Sequence, residues 1–307
     1  MCYMWGKRRH EGGFVLILTL LVTAILVAVA VEFSFRVYIS TSRAANFRDS
    51  QRAGVLAGDG MELAVSAMKE VLRVKPYLVM GRDGLTFTKK EGDMDMDIRV
   101  FDELSKVSTR LVYSDTGVEN NITFPVYSRL LERLGFDEGL VAALADWIDS
   151  DDVPRTGGAE AADTYQRLPA PYVPANTYLK SLEELGMIDG YTQNVVSALA
   201  PFVSPYNTSG LININTAAKE VILSLADDIT PELADSLIKY RKENPFKDKS
   251  EIMKVAGFET IGFELQDKIV VQSDIFRVYS KVVAGEVVRE VEAVVKTGGD
   301  VLYWREF

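Results

Sequence analysis

The longest apolar stretch of the chain lies close to its N-terminus. It covers residues 14–31 (FVLILTLLVTAILVAVAV), contains no charged side chain, and ends at Glu32. About 18 residues with a rise of ~1.5 Å each form ~27 Å of helix, which is enough to cross the hydrocarbon core of a bilayer. No proline follows before Pro76, so the pattern predicts that the helix continues over residues 32–75.

The residues before this stretch favour a membrane anchor with a fixed orientation. Residues 1–13 end in KRRHEGG, and a basic flank stays in the cytoplasm, which would place the bulk of the chain in the periplasm of a bacterium. An ordinary secretory signal is the alternative, in which cleavage would follow Ala28 or Ala30. No polar loop follows these alanines, and the sequence therefore favours a single-pass anchor.

The rest of the chain alternates between two patterns. Strand-like alternation occurs between Asp93 and Ser114 (MDIRVFDE, TRLVYSD) and again over residues 272–307 (DIFRVYSKVVAG, EVVREVEAVVKTG, DVLYWREF). Between them, residues 125–271 have apolar positions at helical spacing. We therefore predict an α+β fold, in which an antiparallel sheet begins within residues 76–124, is interrupted by a large inserted all-α domain, and is completed by the last strands.

Cysteine and histidine are almost absent from the chain. Cys2 is the only cysteine and His10 is the only histidine, and both lie in residues 1–13. If these residues are removed, the remainder cannot build a thiolate or imidazole zinc site, a Ser-His-Asp triad, a cysteine nucleophile or a disulfide. Only chemistry based on oxygen groups then remains. We predict that the protein is not an enzyme.

The charge of the chain restricts its partners. The formal net charge is -10, and residues 1–13 contribute more bases than acids, so the remainder is more acidic still. An acidic body repels phosphate backbones and attracts hard cations. The charge therefore argues against nucleic-acid binding and in favour of a site for a cation such as calcium.

One loop concentrates acidic residues between glycines and prolines. This acidic loop, residues 146–176, reads DWIDSDDVPRTGGAEAADTYQRLPAPYVPAN. Its acidic residues are Asp146, Asp149, Asp151, Asp152, Glu160 and Asp163. Calcium would offset the mutual repulsion of these carboxylates. The alternatives are a solvated acidic loop that binds nothing, helix capping by Asp149 or Asp152, and a carboxylate pair for glycoside hydrolysis, for which no sugar-stacking groove is evident.

The spacing within the acidic loop differs from that of an EF-hand. Asp149, Asp151 and Glu160 match positions 1, 3 and 12 of an EF-hand loop. Val153 and Pro154 fill positions 5 and 6, where a ligand and a glycine are needed. The loop is therefore not an EF-hand, although it remains a dense cluster of oxygen ligands.

A second segment, residues 211–258, resembles helix-hairpin-helix repeats of the N-I-N-T-A type found in competence DNA-binding proteins. Such repeats present free backbone amides to phosphate, usually beside basic side chains. Here the hairpin reads ADDITPELAD, with no base and no glycine, so we predict that the motif packs against protein. Thr216 is the predicted N-cap of the following helix, with Asn213 and Asn215 as turn and cap residues.

Several segments taken in order resemble the K-type minor pseudopilins of bacterial type II secretion systems. Gly13 followed by Phe14 is similar to the leader end of pilins and pseudopilins, and Leu18 stands where most of them, but not the K type, carry glutamate. FDELSKVST resembles the family's D-E-x-[GS]-K-[IV] segment. The acidic loop resembles its DWID-x-D-x-x-P-R stretch with the following GAE and P-Y-x-x-A-N; alanines follow Glu160 where an acid is usual, and Asp163 would replace it after a one-residue shift.

The resemblance implies a pilin-like sheet and a role at the tip of the pseudopilus, where the protein would aid assembly and export. It also implies cleavage by the prepilin peptidase between Gly13 and Phe14 with methylation of the new terminus. The implied partners are the I- and J-type minor pseudopilins and the inner-membrane assembly platform, with no nucleic acid. The implied ligands of a structural calcium ion are Asp149, Asp151, Asp152, Glu160 and Asp163. The alternative functions are a minor pilin of a type IV pilus and a membrane-anchored DNA-binding protein of the competence type.

Overall fold

The fold begins with one long helix, and the other elements follow it. The computed structural model describes residues 11–160 and 164–307, and the first element, α1 (Glu11–Val74), is a single continuous helix. Within the described part of the chain, it is the one helix that is long and apolar enough to cross a membrane, and none of its most apolar window is buried against protein. The long N-terminal helix predicted from the sequence is confirmed.

The other elements follow in chain order. The strands are β1 (Leu85–Glu91), β2 (Met94–Asp102), β3 (Val107–Ser108), β4 (Val203–Ser204), β5 (Ile212–Asn213), β6 (Ile269–Val270), β7 (Ile275–Ala284), β8 (Val287–Lys296) and β9 (Val301–Glu306). The helices after α1 are α2 (Thr123–Arg133), α3 (Gly139–Ile148), α4 (Gln193–Leu199), α5 (Lys219–Ser224), α6 (Pro231–Glu243) and α7 (Ile261–Leu265). Short 3-10 helices span Glu103–Ser105, Tyr165–Arg167, Leu182–Met187 and Lys249–Lys254.

Five strands form an antiparallel sheet in the order β1-β2-β7-β8-β9. Alternate residues of β2 and β7, among them Ile98 and Val278, are buried against the second half of α1. Gly60 of α1 lies so close to β7 that a Cβ atom there would meet Ser280 Oγ at 2.2 Å. A glycine is therefore needed for the helix to approach the sheet this closely.

The inserted domain, residues 103–274, lies between two strands that are neighbours in the sheet. The chain leaves β2 after Asp102 and returns in β7, where Asp102 pairs with Phe276. At the opposite end of the sheet, Arg289 in β8 donates to Ser50 Oγ of α1 at 2.5 Å. Ser50 is nearer to the apolar part of α1 than Gly60 is, so the inserted domain joins the sheet at the end away from the membrane segment.

The observed insertion starts earlier than the sequence predicted. The first part of the sheet ends at Asp102, and TRLVYSD (residues 109–115) is outside it, because Leu111 and Val112 are buried in the core of the inserted domain. β1 was not predicted, since its strand has only two apolar positions, which face the helix side. The prediction of an all-α insertion is wrong, because the short parallel pairs β3-β4 and β5-β6 tie its loops together.

The inserted domain has its own hydrophobic core, with Trp147, Tyr127, Phe246 and Phe258 among its largest fully buried side chains. Two segments with helical spacing, LKSLEELGMI and KSEIMKVAG, form 3-10 helices instead of α-helices. Thr216 is not an N-cap, since α5 begins two residues later than predicted, with Ala218 at the N-cap position.

Candidate functional site

Helix α3 positions the acidic loop through a buried carboxylate at its end. Asp146 is fully buried, and its carboxylate accepts hydrogen bonds from the backbone N–H groups of Arg155 (3.1 Å) and Ala159 (3.0 Å). A Cβ atom on Gly158 would lie 1.9 Å from the Asp146 carboxylate. Asp146 thus holds the loop closed, and glycine is required where the loop passes over it.

Three acidic side chains converge beside this carboxylate. Oxygen atoms of Asp149, Asp151 and Glu160 lie within 4.8 Å of one another. Asp149 and Glu160 are buried, whereas Asp151 is exposed at the loop surface. The N–H of Val153 donates to Asp151 Oδ1 at 2.9 Å, which turns the chain after the cluster. These three residues are the ones that match positions 1, 3 and 12 of an EF-hand loop in the sequence.

The structure places the remaining predicted ligands differently. Asp152 is exposed and does not belong to the group of converging carboxylates. Asp163 lies outside the described residues. A ligand role for these two side chains remains a prediction from the family resemblance, while the convergence of the other three is an observation.

A guanidinium and a turn complete the walls of the cluster. Arg155 donates from Nη1 to Asp146 Oδ1 (2.6 Å) and to the carboxylate of Asp149, and from Nη2 to the carbonyl of Gly117 (2.7 Å). Gly117 has a φ of 65°, and a Cβ atom there would lie 3.3 Å from carboxylate oxygens of Asp149 and Asp151. Neither Arg155 nor Gly117 was predicted from the sequence to have a role. The position of Arg155 in the D-x-x-P-R stretch could have indicated one.

A carboxylate oxygen of the cluster lacks a hydrogen-bond donor among the residues that the structure describes. Burial raises the pKa of Asp149, and Arg155 partly opposes this. Asp149 Oδ1 is buried and has no hydrogen-bond partner within residues 11–160 and 164–307. A buried carboxylate oxygen without a donor is costly, and a set of oxygen ligands without nitrogen or sulfur suits calcium better than zinc. The residues therefore fit a structural calcium ion, for which Asp149, Asp151 and Glu160 would supply oxygen ligands.

Aromatic rings anchor the rest of the acidic loop. The ring of Trp147 meets Tyr165 at 5.4 Å and Tyr172 at 6.2 Å between centroids, in both cases edge to face. At the end of the loop, the N–H of Asn176 donates to the carbonyl of Trp147 at 3.0 Å. These contacts hold the acidic loop against the end of α3.

Two sequence motifs that lie far apart in the chain meet where the inserted domain joins the sheet. Asp102 Oδ2 accepts hydrogen bonds from Asn213 Nδ2 (2.8 Å) and Thr216 Oγ1 (2.6 Å), and Asp102 Oδ1 accepts one from the N–H of Leu104 (2.8 Å). Asn215 bonds in turn to the backbone of Phe246. The asparagines of the N-I-N-T segment therefore fasten the domain rather than contact a ligand.

A buried ion network reinforces this junction. Arg277 of β7 donates to Glu103 Oε1 at 2.8 Å and to the carboxylate of Glu292, and Glu103 also accepts from Lys106 Nζ at 2.8 Å and from Ser204 Oγ. Burial alone would raise the pKa of Glu103, but the charges of Lys106 and Arg277 lower it to about 2. Glu103 thus stays ionised and links the inserted domain to two strands of the sheet.

The hairpin that resembles a DNA-binding motif forms hydrogen bonds with other parts of the protein. Arg129 of α2 donates to Asp227 Oδ1 at 2.5 Å, and Lys268 Nζ donates to the carbonyl of Leu225 at 3.1 Å. Asp227 and Asp228 are both exposed on the hairpin. Arg129 and Lys268 therefore bond to the hairpin itself, and the charge that the hairpin exposes is acidic.

We expect no appreciable binding of duplex DNA at physiological salt, because the hairpin presents carboxylates to any phosphate backbone. Fluorescence anisotropy with a labelled duplex measures this directly. The double variant Asp227→Asn, Asp228→Asn is a useful comparison, since it removes the charge repulsion between the hairpin and a phosphate backbone. A low-micromolar dissociation constant for the unaltered protein, with a steep dependence on salt, would support the competence-type alternative.

Comparison with known protein families and curated relatives agrees with this arrangement. Two family models described as type II secretion system protein K match residues 105–208 and 212–272, which together make up more than half of the chain. Type II secretion system protein K of Pseudomonas aeruginosa is 27% identical over 261 residues, covering 80% of this chain and 77% of the relative. The protein of the same name from Pectobacterium carotovorum is 26% identical over 251 residues and covers 76% of each chain.

The fold also has a counterpart among solved structures. A chain in the crystal structure of the GspK-GspI-GspJ complex from the enterotoxigenic Escherichia coli type 2 secretion system superposes with a TM-score of 0.70. The two chains are 18% identical, and the match covers 86% of this chain and 99% of the other. A long helix, an antiparallel sheet and a domain inserted into that sheet are therefore features of a known fold.

Proposed function

The chain belongs to the type II secretion system protein K family, the K-type minor pseudopilins, and from this premise we propose that it forms the tip of the pseudopilus. The inserted domain carries this proposal, because it joins the sheet at the end away from the membrane segment of α1. A body of this size at that end would block the position that a further subunit must occupy. The family is a structural part of a secretion machine, and the role proposed here requires no catalysis.

The anchor helix defines the proposed position in the membrane. Residues 14–31 would span the bacterial inner membrane once, with residues 1–13 in the cytoplasm and the sheet and inserted domain in the periplasm. Leu18 supports a first position in the filament, because a subunit without a carboxylate at this depth needs no partner ahead of it to neutralise that charge. The inner-membrane assembly platform is the proposed docking partner at the base.

The other minor pseudopilins are the proposed neighbours along the filament. The solved chain with the same fold was crystallised as a GspK-GspI-GspJ complex, and this supports I- and J-type subunits as partners here. A minor pilin of a type IV pilus would share the anchor helix but not the inserted domain. The presence of that domain therefore favours the secretion pseudopilus.

Processing of the leader provides the first test. We expect the prepilin peptidase to cut between Gly13 and Phe14, because this pair lies at the cytoplasmic edge of the apolar run, as at the leader end of pilins and pseudopilins. Mass spectrometry of the membrane-extracted protein should then find a methylated N-terminus at Phe14. Gly13→Val should block cleavage, whereas Gly12→Val, the same change one residue earlier, should not. An N-terminus beyond Ala28 would show an ordinary signal peptide and remove the anchor.

Calcium is proposed as a structural ion of the acidic loop. Its ligands would be Asp149, Asp151 and Glu160, with backbone carbonyls and waters completing the six to eight oxygen contacts that calcium takes. The unpartnered Oδ1 atom of Asp149 supports this proposal. The ion would neutralise the cluster and keep the loop folded against α3, so its role would be to maintain the shape of the tip surface.

A further inference from the structure

A cavity of about 300 Å³ opens where the inserted domain meets the sheet. Met80, Phe101, Phe202 and Tyr279 provide apolar parts of its wall. None of the converging carboxylates of the acidic loop lines this cavity. It is therefore a separate feature from the proposed calcium site.

The lining of this cavity is basic in a protein that is otherwise acidic. Four basic side chains and one carboxylate contribute to it, namely Arg82, Lys106, Arg241, Arg277 and Asp102. Lys106 and Arg277 are already paired with Glu103. Asp102 is fully engaged by Leu104, Asn213 and Thr216. The other two basic residues, Arg82 and Arg241, form no ion pair with any described carboxylate that lines the cavity.

Arg241 is a buried cation without a carboxylate. Its side chain is 5% exposed, and its two terminal nitrogens donate to the carbonyls of Ile214 (2.6 Å) and Ala217 (2.8 Å). Its Nε atom has no hydrogen-bond acceptor among the described residues. Burial lowers its pKa to about 10, which shows how strongly the site disfavours an uncompensated charge. A buried charge of this kind is stabilised when an anion comes close.

Arg82 holds a second positive charge at the mouth of the cavity. It is exposed, and its guanidinium lies over the ring of Phe202, 5.7 Å from the centroid. It forms no ion pair with any residue in the described ranges. The aromatic wall therefore positions this cation at the entrance, where it can meet an incoming ligand.

We propose that this cavity binds a carboxylate carried by an apolar group, with Arg82 and Arg241 as its counter-ions. Guanidinium groups pair with carboxylates in preference to neutral oxygens, and the aromatic and aliphatic wall would bury the group that carries the carboxylate. The C-terminal residue of a polypeptide and a small organic acid share this chemistry. A site of this kind at the junction would give the tip a binding function in addition to its role as a filament cap.

The test uses the full-length protein in detergent and NMR titration with three probes. These are N-acetyl-Gly-Phe with a free carboxylate, the same dipeptide with an amidated C-terminus, and 3-phenylpropionate. We expect the free dipeptide to bind at least about tenfold more tightly than its amide, since the amide carries no negative charge to pair with the two arginines. Arg82→Gln should weaken binding of the acid about tenfold, whereas Arg133→Gln, the same change on an exposed face of α2, should leave it within about twofold.

The outcomes distinguish the two possible sources of the ligand, and they also test the proposal itself. Binding of the free dipeptide without binding of 3-phenylpropionate supports the proposal with a polypeptide C-terminus as the ligand. Equal binding of both acids supports it with a small organic acid. Equal affinity for the acid and the amide, no binding of either acid, or unchanged affinity in Arg82→Gln would overturn it.

Discussion

Replacing Arg277 with methionine is expected to lower the free energy of unfolding of the soluble region, residues 32–307, by about 3–5 kcal/mol. Methionine keeps much of the volume of the side chain, but it leaves Glu103 and Glu292 buried without the guanidinium that bonds to both. Lys106 still pairs with Glu103, so the lower end of this range applies if the lysine compensates. Urea denaturation followed by circular dichroism measures the change.

A matched control comes from the same face of the same strand. Lys281 lies two positions beyond Tyr279 on β7 and forms no ion pair with the described residues, so Lys281→Met should change the free energy of unfolding by less than about 0.5 kcal/mol. If Arg277→Met costs no more than Lys281→Met, the ion network does not hold the inserted domain on the sheet. A large loss confined to Arg277 supports its role as the clamp between the two parts.

Calcium should have the second large effect on stability. An ion that binds only the folded protein stabilises it by RT ln(1 + [L]/Kd), which is about 2.7 kcal/mol at a hundredfold excess over Kd. The reason is the mutual repulsion of Asp149, Asp151 and Glu160, which lie within 4.8 Å of one another. Melting of the soluble region, recorded with added calcium and with chelator, should therefore give two different temperatures.

Variants show whether this effect belongs to the acidic loop. Asp151→Ala combined with Glu160→Ala should abolish the dependence on calcium while the five-stranded sheet remains folded, since the loop is outside the sheet. Asp228→Ala combined with Glu243→Ala removes the same charge from exposed positions elsewhere in the inserted domain and should leave the dependence intact. A melting temperature that is the same with calcium and chelator, together with no binding heat, means that the loop is only a solvated acidic surface.

The sequence predicted the elements whose pattern is local. The apolar run from Phe14 and the absence of proline before Pro76 were sufficient for the long helix, and regular alternation was sufficient for the last three strands. β3, β4, β5 and β6 have two residues each, too few for any periodicity. Their pairing depends on tertiary contacts, so the mixed character of the inserted domain could not be predicted from the pattern.

Contacts between segments that are distant in the chain also could not be predicted from the sequence. Asp102 and Thr216 each belong to a motif that the sequence shows. They are 114 positions apart, and nothing in the sequence indicates that Thr216 donates a hydrogen bond to Asp102. The result was an incorrect capping role for Thr216. In the acidic loop the ligands are close in sequence, and the convergence of Asp149, Asp151 and Glu160 could be anticipated. The contribution of Gly117, from a turn before α2, could not.

The most direct test of a pseudopilus-tip role is to identify what the full-length protein binds in the membranes of its host. The protein would carry an affinity tag at its C-terminus, be crosslinked in intact cells, and be extracted in mild detergent for mass spectrometry of the crosslinked partners. We expect I- and J-type minor pseudopilins in comparable amounts, crosslinked to the α1 helix and the sheet. Recovery of type IV pilus subunits, or of the protein without any pseudopilin, would contradict it.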